Sequence, residues 1–114
     1  MPEYNFNLNY VIKIYFIVQT GTWSKQAAEE ASKFGKVQKV TDPVGDSCLT
    51  EVPDKSLWRL DPEASYLYYC DNETIQGVEF DSIPEPPSGV PLVCDMSSNI
   101  CTRTFDVSKV ILVL

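Results

Sequence analysis

A chain of 114 residues is long enough for one domain and too short for two. Its 44% hydrophobic and 11% aromatic content demands a packed core and excludes wholesale disorder. A net charge of -7 argues against nucleic acid or an anionic membrane surface as the main partner, and the absence of histidine removes the commonest general base together with every Ser-His or Cys-His nucleophilic pair.

Residues 1–9 are polar without periodicity and read as an irregular lead-in. Residues 11–18, rich in Val, Ile, Tyr and Phe, predict a first strand; the run carries Lys13 and is too short to span a bilayer. Glu3 is the only charge before Lys13, so no signal peptide is expected. The chain turns at Gly21. A helix follows, with Thr22 or Ser24 as its cap, Ala27, Ala28 and Ala31 favouring it, and Gly35 as a C-terminal cap. Trp23, Ala27, Ala31 and Phe34 can share one face of it. Residues 37–40 are a short second strand, so this part reads strand, helix, strand, the pattern of a parallel crossover.

Residues 42–62 are loop-like, with Leu57, Trp58 and Leu60 pinning them to the body. Residues 66–70 predict a third strand, broken at its carboxyl end by Asp71-Asn72-Glu73-Thr74. Pro84, Pro86 and Pro87 make the next stretch a surface turn. In residues 91–95 the unalternating run Leu92-Val93-Cys94 reads as a strand buried on both faces, which points to a parallel sheet covered by helices. Asp95 would then stand at the carboxyl edge, where open α/β sheets bind ligands. Taken alone, Asp95 followed by Ser97 and Ser98 favours a turn residue over a site residue. Residues 110–114 are a last apolar run.

Cys48, Cys70, Cys94 and Cys101 show no zinc spacing; Cys70 and Cys94 each end an apolar run, where a free thiol behaves as a small hydrophobe, and this fits a reducing compartment. Asn72-Glu73-Thr74 matches the glycosylation sequon, a tripeptide frequent by chance. In a parallel sheet Trp23, Thr74 and Asp95 would fall along one edge, and an aromatic, a hydroxyl and a carboxylate together suit a planar, partly charged ring. Each by itself is as well explained by a core Trp, a turn Thr and a capping Asp.

Three groups of segments carry a family resemblance. They are Thr20-Gly21-Thr22-Trp23-Ser24 with Ala27-Ala28-Glu29-Glu30-Ala31; Tyr68-Tyr69-Cys70, Asn72-Glu73-Thr74-Ile75 and Gly77-Val78-Glu79-Phe80; and Cys94 to Asn99 with Asp106 to Lys109. In this order and spacing the chain resembles phosphoserine aminotransferase, a class V aminotransferase, over residues 18–109. The resemblance implies an α/β fold, part of the large domain of the type I aminotransferase architecture, with a mostly parallel sheet and flanking helices. It implies a cytoplasmic homodimer using pyridoxal 5'-phosphate to move an amino group from glutamate to 3-phosphohydroxypyruvate, giving O-phosphoserine and 2-oxoglutarate in serine biosynthesis. Carried over, Trp23 matches the tryptophan stacked on the pyridine ring, Thr74 the threonine that hydrogen-bonds the cofactor, and Asp95 the aspartate at the pyridine nitrogen.

The match also implies what is missing. The family's Schiff-base lysine follows the segment matched by residues 106–109, where this chain reads Val-Ile-Leu-Val-Leu, and Lys109 matches another position. The phosphate-binding glycine segment, the substrate-binding arginines and the small domain have no counterpart. Residues 1–17 are expected to be a divergent lead-in, 18–109 a partial cofactor-binding domain, and 110–114 a divergent tail, with no catalytic residue and no activity of its own. The rival expectations are a non-catalytic product that binds a full-length subunit, and an acidic interaction module linked through Cys48 and Cys101.

Overall fold

The structure, a computed structural model, describes residues 13–41 and 50–113. The lead-in, the start of the first predicted strand at Val11 and Ile12, the loop residues 42–49 with Cys48, and Leu114 lie outside the described residues. The elements are β1 (Ile14–Val18), α1 (Thr22–Ala31), β2 (Lys36–Lys39), β3 (Tyr66–Cys70), β4 (Asn72–Glu73), β5 (Val78–Glu79), β6 (Leu92–Asp95) and β7 (Leu112–Val113). Single 3-10 turns at Lys55–Leu57 and Val107–Lys109 are started by Asp54 and Asp106, whose carboxylates accept from the backbone N–H of Ser56 and Ser108.

The main sheet runs β2-β1-β3-β6-β7, and each neighbouring pair is parallel. β4 and β5 form a separate antiparallel pair joined by a tight turn at Gly77, whose φ of 71 suits glycine. Side chains alternate between the two sheet faces. Phe16, Val18, Leu67, Tyr69, Leu92 and Cys94 point to one face and pack with Val40, Phe80, Val90 and Met96. Ile17 and Tyr68 point to the other, against Ala28 of α1, with Val37, Tyr66 and Val93 at the margin. Full burial of a residue such as Leu67 or Leu92 stabilises the fold by about 2 kcal/mol.

The parallel α/β reading holds, with three corrections. A single α-helix is described, and the sheet face away from it is covered by loops through Val52, Trp58, Leu60, Ile83, Phe105 and Val110. Consequently β6 is not sealed on both faces: Leu92 and Cys94 are buried, whereas Val93 and Asp95 on the helix face are half-exposed. The buried stripe of α1 carries Ser24 and Ala28, flanked by Ala27 and Ala31. Trp23 is turned outward, and Phe34, beyond the helix end, is 74% exposed.

Helix ends also differ from expectation. The N-terminal cap is Gly21, and the C-terminal cap is Ser32. Gly35 answers a different need, since a Cβ there would lie 2.7 Å from the Tyr15 ring and 2.8 Å from the Lys13 carbonyl. Of the loop residues expected to pin 42–62, Trp58 and Leu60 pack on the core and Leu57 does not.

Candidate functional site

Register dictates where the polar groups meet. β3 and β6 run side by side with Tyr68 opposite Val93 and Cys70 opposite Asp95, so alternation puts Cys70 and Asp95 on the helix face at the carboxyl edge. α1 starts at that same edge, because the parallel β1 delivers the chain there at Val18. An open cleft of about 280 Å³ results, lined by Trp23, Cys70, Asn72, Thr74, Asp95, Ser97 and Ser98. The three residues singled out by the sequence all border it.

Asp95 does take part in a turn, using one oxygen only. Its Oδ1 accepts from the Ser97 backbone N–H at 2.9 Å and the Ser97 hydroxyl at 2.6 Å. Its Oδ2 has no donor among the described residues. The turn reading holds through one oxygen, which fixes the carboxylate, and the other oxygen is left available to a positively polarised N–H. Ser98 is held by Asn72, whose Nδ2 donates to the Ser98 Oγ at 3.1 Å. The sequon amide is thus engaged at the cleft.

Also bordering the cleft, the Trp23 indole Nε1–H donates to the Thr74 Oγ1 at 2.8 Å. This bond fixes the plane of a side chain that is 41% exposed, and it leaves the Thr74 hydroxyl its own proton to donate. Tyr68 lies below, and burial followed by the nearby Asp95 pushes its phenol well above the usual range. Burial pushes the Cys70 thiol up to about 12, reinforced by Glu73 and Asp95. A thiol so protonated is no nucleophile.

Sequence reasoning missed the residue that joins β4 to the first turn of α1. Glu73 is fully buried at the start of α1. Its Oε2 accepts from the Trp23 backbone N–H at 2.9 Å; its Oε1 accepts from the Ser24 backbone N–H at 3.0 Å and the Thr20 hydroxyl at 3.2 Å. Gln76 adds a reciprocal pair with Thr22, at 3.0 and 2.6 Å. The otherwise unpaired N–H groups of the first turn, at the positive end of the helix dipole, converge on its side chain. Gly21 allows the approach: a Cβ would stand 2.9 Å from the Glu73 side chain and 2.4 Å from Gln76. No local pattern announces this, because the cap comes from another element; the only signal was the place of Glu73 inside a family motif.

A second missed cluster holds the loop after β6. Asp71, 2% exposed, accepts through Oδ2 from Asn99 at 2.6 Å and Arg103 at 3.0 Å. Arg103 also donates to the Phe80 carbonyl and lies 3.4 Å from Glu79. Cys70, Cys94 and Cys101 are free thiols, while Cys48 is outside the described residues. Among the described residues no cluster suits a metal ion, and no helix is long and apolar enough to cross a membrane.

The cleft can hold a flat ring: an indole with a fixed plane, a hydroxyl with a proton to give and a carboxylate oxygen without a donor border one opening. No Lys or Arg is among the residues that line it. No family model matches the chain. It is 58% identical over 92 residues to the phosphoserine aminotransferase of Drosophila melanogaster, covering 81% of this chain and 25% of that protein. It is 45% identical over 103 residues to a probable phosphoserine aminotransferase of Dictyostelium discoideum, 89% of this chain and 27% of the relative. Among solved structures, that of PLP-bound phosphoserine aminotransferase from Trichomonas vaginalis matches with a TM-score of 0.71 and 40% identity, over 86% of this chain and 28% of the other. The enzyme from Bacillus circulans subsp. alkalophilus matches with a TM-score of 0.79 and 32% identity, over 89% and 27%. The chain spans about a quarter of the length of the relatives it matches, and over most of its own length it is similar to phosphoserine aminotransferases in both sequence and fold.

Proposed function

We infer that this chain is a segment of the cofactor-binding large domain of a phosphoserine aminotransferase, with residues 18–109 as the family portion and Trp23, Thr74 and Asp95 as one wall of a pyridoxal 5'-phosphate site. The observation that carries the reading is the meeting of those three side chains on one cleft in a chain so similar to that family. When bound, the cofactor supplies an electron sink as the substrate's α-carbon loses its proton. Asp95 would hold the pyridine nitrogen through Oδ2 while Ser97 keeps Oδ1 in place. Trp23 would cover one ring face and fix its tilt, and the Thr74 hydroxyl would donate to a ring substituent or phosphate oxygen.

In the complete enzyme the reaction is transfer of the amino group of glutamate to 3-phosphohydroxypyruvate, in a cytoplasmic homodimer. The lining of the cleft supplies orientation and a counter-charge. It offers no amine to bond the cofactor and no cation for its phosphate. The 114-residue chain by itself is therefore expected to bind the cofactor weakly and to transfer no amino group.

The test is titration of the chain with pyridoxal 5'-phosphate, read by quenching of Trp23 emission in a Trp58→Phe background. Quenching should saturate at millimolar cofactor. Asp95→Asn should weaken binding by about ten- to a hundred-fold, the worth of a charge-assisted hydrogen bond. No quenching, or equal binding by Asp95→Asn, would overturn the assignment.

A further inference from the structure

We propose that Glu73 is a positioning residue for this site, which sets the Trp23 indole in register with Thr74; the functional meaning rests on the cofactor reading above, while the positioning does not. Trp23 and Thr74 belong to elements distant in the chain, and their side chains meet in a 2.8 Å bond. The bond forms only if the first turn of α1 and the turn after β4 are held at fixed height. Glu73 directly precedes Thr74, and its Oε2 accepts from the backbone N–H of Trp23 itself. One residue thus carries the carboxylate and its neighbour the hydroxyl, and both act on Trp23, one on its backbone and one on its ring. Oε1 fixes the rotation of the same turn through Ser24 and ties it to β1 through Thr20.

A generic cap would need one oxygen and could stand on α1 itself. Here the cap is supplied by β4, an element distant in the chain, and it is buried from solvent without a cationic partner among the described residues. The N–H groups hold the carboxylate, and the carboxylate holds the indole. Glutamine at this position would keep one acceptor and turn a donor NH2 toward N–H groups, so it breaks the clamp with almost no change in shape.

The experiment uses the full chain without cofactor and follows the two indole Nε1–H resonances, assigned with Trp23→Phe. Trp58 is the internal control, since its indole donates to the Pro53 carbonyl and not to any group near Glu73. Glu73→Gln should shift the Trp23 resonance toward that of a free indole, as Thr74→Val does, and leave Trp58 in place. An unmoved Trp23 resonance in a folded Glu73→Gln chain would overturn the proposal. Exchange of the Trp23 and Ser24 amides in the unmodified chain gives a measure that needs no variant. Both should be slowed by at least about ten-fold against an unstructured peptide, and exchange at peptide rates would equally sink the proposal. Addition of pyridoxal 5'-phosphate then separates the two ideas: a Trp23 resonance that responds to Glu73→Gln but not to the cofactor leaves the clamp standing and removes the cofactor reading.

Discussion

At the scale of residues, Cys70 and Cys94 show how the sheet controls the chemistry of its own edge. They lie on adjacent strands and opposite faces, both buried, and burial pushes each thiol from an ordinary 9.0 up to about 12. Tyr68 and Tyr69 are moved in the same direction for the same reason. Above pH 9 the unfolded chain releases these protons while the folded chain keeps them, so the unfolded state binds fewer protons and stability falls as pH rises. Urea midpoints should therefore hold between pH 7 and about pH 8.5, and drop progressively toward pH 12. Iodoacetamide at pH 8 should modify exposed Cys101 and spare Cys70 and Cys94 until the chain is denatured, as peptide mapping would show. Midpoints that climb with pH, or early labelling of Cys70, would mean that the thiols are not sealed as described.

At the scale of elements, the loop after β6 is held from below by Asp71, Asn99 and Arg103, and the loop in turn positions Asp95 and Ser98. Removing Arg103 leaves the nearly inaccessible Asp71 with one amide donor, which costs more than the lost pair itself contributes. Arg103→Ala should lose about 2 kcal/mol in urea unfolding, and adding Asp71→Asn should recover part of it by removing the stranded charge. A double variant less stable than the single would contradict this account. Such clusters mark the boundary of what the sequence disclosed. The strand at Tyr66–Cys70 was legible to the residue, because a run of aromatic residues ending at an Asp-Asn pair carries its own limits. Asp95 was legible as a strand end, and Trp23 and Thr74 through their motif segments. Glu73 and Asp71 read only as strand-breaking polar residues, because their partners lie far along the chain and nothing local records them. The face of α1 was misjudged because Ala and Ser can occupy a buried stripe as easily as a Trp can face a cleft.

At the scale of the whole molecule, apolar surface is left open around a sheet whose ends are narrow. Phe34, Ile111, Val107 and Ile75 are all more than half exposed, and β2 stands at one end of the sheet with Lys36 and Lys39 turned to solvent. The scattered large apolar groups favour association with other chains, whereas Lys36 and Lys39 oppose pairing along β2 itself. The chain by itself is expected to self-associate with rising concentration in sedimentation velocity, and a monodisperse monomer throughout would refute this. The parallel topology has a further effect, on how the fold is reached. β1 pairs with β2 across α1, β6 pairs with β7 across a long loop, and Tyr15 pairs with the still more distant Tyr66, so no strand of the main sheet joins its partner through a tight hairpin. Each pairing must close a long loop before any contact rewards it, which places such folds among the slow ones, in milliseconds to seconds rather than microseconds. Asp95, at the tip of β6, comes to lie beside Cys70 only when β6 has paired with β3. The carboxylate in the cleft is therefore a product of a long-range pairing, and its arrival would report that β3 and β6 have met.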